Sequence, residues 1–481
     1  MAEPQVQNDI TEGELLGPML RLAWPMVAIQ LLQVAYNLAD TAWLGAYSSN
    51  AVGALSVAFP LIFFLISVGG GFTAAGAILV AQYTGAKSDG SAGLVAGQTI
   101  VFVGAFSVVI GLLGFLLTDA MLGVLPADPA TKTQVIPLAA DYMRLFFLGS
   151  PFLFGFFVFV SLLRGYGNTR TPMRIMFVSV VVNVVLDPLL IFGVGPFPAM
   201  GIEGAAIATV FARAVATVLG FYILFATTVG PTIRREHLVP DLPTIRDIVR
   251  VGVPSAAEQS MASLAFITLT AMVATFPPAV IAAYGLGNRL ISLVFLPAMG
   301  LGQATNTIVG QNLGAGRPER AERAVWIAAK LAAGVLLVVA LVVFAFPTTI
   351  LRPLMSADTA QAAETLRYGS EYLRIVAVAF VAMGLFPVFL GAFRGAGKTT
   401  TALVFSAVAL WIARVPVTYY LVFDLGWGTT GIWTAVALGD VVGAIAAILY
   451  FTRGTWKSTI VDTGDDATPG AETVAAAGQD D

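Results

Sequence analysis

Two aspartates stand inside long apolar runs, and their neighbours make them candidates for cation chemistry. Asp40 follows Asn37 at i+3, and Asp187 follows Asn183 at i+4. Either spacing puts both polar groups on one face of a helix. Two carboxylates held close in a low dielectric do not keep two bare charges cheaply; they favour a shared proton or a bound cation. With amide and hydroxyl oxygens around them, the hard cation Na⁺ fits as well as H⁺. A second acid, Glu258, lies in another apolar run. It could bind a cationic substrate or a second ion, or pair with Arg289 or Arg414. Asp440 and Arg414 read as a buried ion pair with a structural role. Proline at Pro25 and Pro188 permits a bend in the helices that carry Asp40 and Asp187. Both are hinge candidates.

Composition says what must position these groups. Of 481 residues, 58% are hydrophobic and 11% charged, with mean hydropathy +0.86. Soluble domains carry roughly 25% charged residues. That much apolar side chain excludes a soluble multidomain protein and a disordered one. With no cysteine and a single histidine, His237, disulfide scaffolds and thiolate or imidazole metal centres are excluded too. A net charge of −3 gives no reason to expect nucleic acid as a partner. The expectation is an all-α polytopic protein in the lipid bilayer.

A membrane helix needs ~20 apolar residues. Twelve stretches qualify: 21–45, 53–82, 94–118, 138–163, 173–194, 203–226, 250–275, 280–309, 324–347, 371–392, 401–423 and 430–451. Seventeen of the 25 Lys and Arg fall in one set of connecting segments and five in the other. The positive-inside rule then puts both termini in the cytoplasm. Asp40 lies ~28 Å along the first span and Asp187 ~20 Å along the fifth, both in the outer half. Thr209 on the sixth span and Tyr142 on the fourth enter from outside at the same level. Topology alone therefore gathers Asp40, Asn183, Asp187, Thr209 and Tyr142 in one layer. Tyr36 and Asn37 lie beside them as candidate substrate contacts, since aromatic faces bind flat cations.

The two halves repeat. Pro25 pairs with Pro254, and Gln82 and Gly85 pair with Gln311 and Gly314, at an offset of 229. Tyr142 and Arg144 pair with Tyr372 and Arg374, and Arg164-Gly165 with Arg394-Gly395, at 230. Six spans per half is an even number, so both halves insert the same way up. They form two six-helix bundles related by a pseudo-twofold axis along the membrane normal, the parallel-repeat plan of many secondary transporters. The expected organisation is an N-terminal segment 1–20, an N-lobe 21–226, a linker 227–249, a C-lobe 250–451 and an acidic disordered tail 452–481. The run GAGKTT at 395–400 looks like a phosphate-binding loop. It lacks the required first glycine, because position 392 is Ala392, and its repeat mate is a plain basic loop.

The run VGQNLGAGRPERAERAV at 309–325, after FLPAMGLGQA, resembles the signature loop of the multidrug and toxic compound extrusion family. Pro25…Asp40 with Asn183-x-x-x-Asp187-Pro188 resembles its prokaryotic DinF-like branch. The resemblance covers about 15–452. It implies a plasma-membrane antiporter, not an enzyme, that exports small organic compounds, often cationic, against H⁺ or Na⁺. It implies that Asp40, Asn183, Asp187 and Thr209 form the N-lobe cation site, with Tyr142 beside it, and that these four would be the ligands of Na⁺. Glu258 matches the acid of the family's seventh helix. No cofactor is implied beyond the transported ion, and a monomer is expected. The alternative within the same superfamily is a flippase for lipid-linked oligosaccharides, which needs a cationic cavity for a pyrophosphate.

Overall fold

The computed structural model describes residues 10–123, 128–354 and 360–461. The rest of the expected acidic tail, 462–481, lies outside the described residues. Fourteen principal helices follow one another, and no strand occurs among the described residues. In the first half they are α1 (Leu16–Tyr47), α2 (Ser49–Gly85), α3 (Asp89–Gly123), α4 (Ile136–Leu148), α5 (Ser150–Tyr166), α6 (Arg170–Phe192) and α7 (Ile202–Ala226). In the second half they are α8 (Leu242–Val273), α9 (Pro278–Gly314), α10 (Pro318–Ala345), α11 (Ala360–Ala377), α12 (Phe380–Gly395), α13 (Thr399–Asp424) and α14 (Gly428–Phe451).

Ten of these helices are each long and apolar enough to cross a membrane, and two bent pairs complete the twelve spans. The apolar runs 138–163 and 371–392 read as single spans in the sequence. The structure breaks both, α4 from α5 by 54° and α11 from α12 by 53°. At the first break Gly149 makes room for Val210, whose side chain reaches within 2.3 Å of where a Cβ on Gly149 would sit. Pro151 then opens α5 without the N–H that would continue the α4 ladder. The breaks fall at matching places in the two halves, as a repeat requires.

Exposed Val108, Leu112 and Leu116 form a stripe on α3, and Val335, Val338 and Leu341 form one on α10. Apolar side chains at helical spacing on an outer face suit hydrocarbon. The buried clusters are built around Ala and Gly as much as around Leu and Phe, which lets helices pack closely in lipid.

α8 starts at Leu242, inside the stretch expected to be linker. Asp241 caps it by accepting a hydrogen bond from the Thr244 N–H at 3.0 Å. The remaining linker is fastened to α3: Gln98 Nε2 donates to the His237 and Val239 carbonyls, each at 2.7 Å.

The lobes meet along a seam built twice. Gln82 on α2 donates to the Gly395 carbonyl at 2.9 Å, and its repeat mate Gln311 on α9 donates to the Gly165 carbonyl at 2.9 Å. A Cβ on Gly85 would lie 1.9 Å from the Gln311 carbonyl oxygen, and one on Gly314 would lie 1.9 Å from that of Gln82. Only glycine permits that approach. Deeper along the seam, Ser67 and Ser263 share a hydrogen bond at 3.2 Å.

Segments outside the helices cross the same seam. Ile10, before α1, fills the space beside Gly167, and Asn312 donates to its carbonyl at 3.2 Å. Ile460, after α14, fills the space beside Gly397, and its N–H donates to Gln82 Oε1 at 3.1 Å. Both ends of the described chain therefore lie on one face, where the seam is closed.

Candidate functional site: a buried oxygen cluster in the N-lobe

α1 brings Tyr36 and Asp40, α6 brings Asn183 and Asp187, α7 brings Thr209, and α4 brings Tyr142. None of the six is more than 4% exposed. The Asp40 carboxyl group has Asp187, Asn183 and Thr209 around it. Tyr142 lies in the field of both aspartates. The residues that topology placed in one layer are thus brought together.

What sets this cluster apart is how little of its hydrogen-bonding capacity is used. Asn183 Nδ2 donates to Asp187 Oδ1 at 3.2 Å. Asp40 Oδ1, Asp187 Oδ2, Asn183 Oδ1, Thr209 Oγ1 and the Tyr36 hydroxyl are buried with no partner. Unpaired buried polar atoms are rare in native proteins, and each costs about 1–3 kcal/mol or more. Five together, two of them carboxylate oxygens, suit a ligand that is positive and small. The donor set is oxygen only, which fits H⁺ or Na⁺ and not a soft metal. Among the described residues no group of three or more His, Cys, Asp and Glu could hold a metal ion.

Arg213 also belongs to this neighbourhood, although it is not among the residues that topology gathers in one layer. Its guanidinium carbon lies 4.9 Å from the centre of the Tyr36 ring and 5.1 Å from that of Phe156. Nη2 donates to Gln33 Oε1 at 2.7 Å, and Nη1 reaches Met176 Sδ at 3.2 Å. The signal was present: Arg213 follows Thr209 at i+4 on α7, so both share a face. Gln33 also donates through Nε2 to Asn37 Oδ1 at 3.0 Å. Asn37 is therefore linked to the cluster through Gln33 and Arg213.

Glu258 sits elsewhere, with neither expected partner. Arg394 grips it with two bonds, Nη2 to Oε1 at 2.6 Å and Nε to Oε2 at 3.1 Å. Ser406 Oγ adds a third at 2.6 Å. α12 runs to Gly395 and so carries Arg394, which the sequence places in a connecting segment, down to the α8 acid. The Arg414–Asp440 pair is present, at 2.6 Å. Pro25 and Pro188 both lie inside helices that run on without a break, α1 and α6.

The MatE family model matches residues 25–189 and 254–420, one stretch in each half. Among relatives, a probable multidrug resistance protein of Bacillus subtilis, YpnP, is 28% identical over 456 residues, 94% of this chain and 98% of that protein. A probable multidrug resistance protein NorM of Thermotoga maritima is 27% identical over 461 residues, 94% of this chain and 95% of that one. A solved structure of a MOP superfamily transporter from Pyrococcus furiosus superposes with a TM-score of 0.87 at 24% identity, covering 95% of this chain and all of that one. It shares the two-lobe, twelve-helix fold.

Proposed function

The chain belongs to the MatE family, and from that premise we propose that it is a secondary active exporter of organic compounds, cationic ones among them, driven by inward movement of H⁺ or Na⁺. It works in the plasma membrane with both termini in the cytoplasm, as the basic residues of its connecting segments imply. Multidrug resistance proteins that match almost end to end support the export of drugs.

One observation carries the coupling assignment: the five unpartnered oxygens of Asp40, Asn183, Asp187, Thr209 and Tyr36. They form a buried, negatively charged seat for one small cation. Asp40, Asn183, Asp187 and Thr209 would ligate Na⁺, or Asp40 and Asp187 would share H⁺, with Tyr142 walling the seat. With the termini inside, the closed seam faces the cytoplasm. Ion and drug then act on the same equilibrium between outward and inward forms, each favouring the form it binds more tightly. Pro188, next to Asp187, is where ion binding would bend α6, and Pro25 does the same for α1. Glu258, locked to Arg394 and Ser406, shapes the cytoplasmic half of the C-lobe; its availability to substrate requires that clamp to open. The lipid-linked oligosaccharide reading is not favoured, because the N-lobe interior is acidic where a pyrophosphate needs cations.

Ethidium efflux from proteoliposomes under an imposed H⁺ or Na⁺ gradient tests the proposal. Wild-type protein should export ethidium with one of the two gradients, and Asp40→Asn and Asp187→Asn should not. Gradient-driven efflux that survives both substitutions would remove the coupling site from the N-lobe.

A further inference from the structure

We infer that Arg213 is an internal counter-cation: it occupies the coupling seat when the transported ion leaves and is pushed aside when the ion returns. The inference rests on the seat assigned under Proposed function and adds a residue that competes with the ion for it.

Three observations place it there. First, Arg213 is 3% exposed, and its guanidinium stays charged in a protein interior. Second, its present partners are poor ones for a buried cation. They are two ring faces, one amide oxygen from Gln33 and one thioether sulfur from Met176. A thioether is a weak acceptor. Among the described residues Arg213 forms no ion pair, although Asp40 is close enough to interact with it through space. Third, Asp40, which acts on Arg213 through space, keeps its Oδ1 buried without a hydrogen-bond partner, and so does Asp187 with its Oδ2. A guanidinium bonds a carboxylate more strongly than it bonds an amide or a sulfur. A cation held on weaker partners, next to open carboxylate oxygens, is parked.

The parked position makes sense when the seat holds a positive charge. The guanidinium is then repelled onto Tyr36 and Phe156, and Gln33 fixes it there. When the ion departs, the two carboxylates would face each other uncompensated in a low dielectric, at a cost of several kcal/mol. A turn of the long Arg213 side chain toward Asp40 neutralises one of them. Its neighbours allow the turn, since Met176 is unbranched and adaptable. The titratable groups that act on the guanidinium are Tyr36 and Asp40, both on α1, and among the described residues no second cation is found beside them. The device weakens ion binding and eases ion release. A pump that must let go of its ion in each cycle needs both.

The test is ion binding to purified full-length protein, with radioactive Na⁺ as one probe and proton uptake, followed with an indicator dye in Na⁺-free buffer, as the other. Arg213→Met keeps the length and removes the charge. It should bind the coupling ion about tenfold more tightly or better and release it more slowly, as loss of one nearby unit charge implies. Gln33→Met removes the parking partner and leaves the charge, so ion affinity should fall. The two variants thus move affinity in opposite directions, whereas a structural role for Arg213 would lower it in both. Arg213→Lys, which keeps the charge without the planar fork, should stay near wild type. Unchanged or weaker binding in Arg213→Met, in protein whose thermal unfolding matches wild type, overturns the inference. If Arg213→Met does not fold, Arg213→Gln takes its place, and the inference stands only if that variant binds the ion more tightly while Gln33→Met binds it more weakly. Asp187→Asn serves as the separate control. If it binds either ion as wild type does, the seat itself is misassigned; if it binds neither, the Arg213 result stands on its own.

Discussion

The two lobes share a backbone plan and differ in what they bury near the same depth. In the N-lobe, two aspartates, an asparagine and a threonine leave oxygens open, and the local cation is held off on aromatic rings. In the C-lobe the repeat mates of Asp40, Asn183, Asp187 and Thr209 are Leu269, Ala413, Val417 and Gly439. The charges there are Arg414 and Asp440, bonded directly to each other at 2.6 Å. Tyr372, the mate of Tyr142, lies 4.3 Å from Trp433 between ring centres and donates its hydroxyl to Asn288 at 2.8 Å. Tyr284 stacks on the same Trp433. One lobe pairs its charges, leaving a single carboxylate oxygen of Asp440 open, and fills its space with rings; the other keeps five oxygens open. A duplicated fold can thus give one copy to ion chemistry and leave the other as a frame, with no change of topology.

The largest effect that would break this contrast is in transport. Asp187→Asn should drop gradient-driven efflux to the undriven background while the protein still folds, because a neutral amide relieves the crowding of charge. Asp440→Asn should keep ion-driven efflux. If both substitutions abolish coupling equally in the proteoliposome assay, the lobes are not divided in this way.

Next comes stability. Removing one partner of a buried pair leaves the other uncompensated, so Arg414→Met should cost about 3–5 kcal/mol. The double variant Arg414→Met/Asp440→Leu should recover most of that loss, since an apolar pair of similar volume replaces the ion pair. Thermal unfolding in detergent measures both, and no recovery would mean that Arg414 does more than balance Asp440.

A smaller effect sharpens what the lobes share. Gly314→Val would put side-chain atoms against the Gln82 carbonyl, where even a Cβ sits 1.9 Å away. The seam should open in a fraction of molecules. The chain has no cysteine, so Ala81→Cys gives a single reporter on the seam wall. Its labelling by a polar maleimide should rise severalfold in the glycine variant and stay slow without it.

The smallest effect concerns the junction between the lobes. The Thr244 side chain, with its backbone N–H, holds the Asp241 carboxyl below the usual carboxylate range. A lowered value in the folded protein stabilises α8 above the ordinary carboxylate pKa. That support disappears as the pH falls through the lowered value. Asp241→Ala should fray the first turn of α8, seen by hydrogen exchange at neutral pH, and should make little difference in strong acid.

Much of the open lobe was legible in the sequence because membrane topology and helical spacing are strong constraints. Asn183 and Asp187 at i+4, with spans counted inward from basic connecting segments, set Asp40, Thr209 and Tyr142 at one level. The constant offset gave the two bundles. Arg213 escaped because a lone arginine in a span reads first as half of an ion pair, and its partners here are rings, an amide and a sulfur. The partner of Glu258 escaped for a related reason: Arg394 counts as a loop residue until α12 is seen to extend that far. The breaks between α4 and α5 and between α11 and α12 were hidden inside unbroken apolar runs, since lipid selects hydrophobicity and is indifferent to a bend. Orientation of the guanidinium and closure of the seam are set by tertiary packing, which spacing along one helix does not encode.

Gln82 belongs to α2, but its amide is fully engaged only by parts of the chain made much later. The Gly395 carbonyl takes its N–H, and the Ile460 N–H fills its oxygen. During synthesis the N-lobe can therefore insert and pack its own helices while half of the seam has no partner. The closure is completed only once Ile460 has been made, later than α14. A chain stopped after Phe451 keeps every span and loses Ile460, so it should insert normally and yet expose the seam to protease. Release of that fragment at wild-type resistance would show that the closure does not wait for the end of translation.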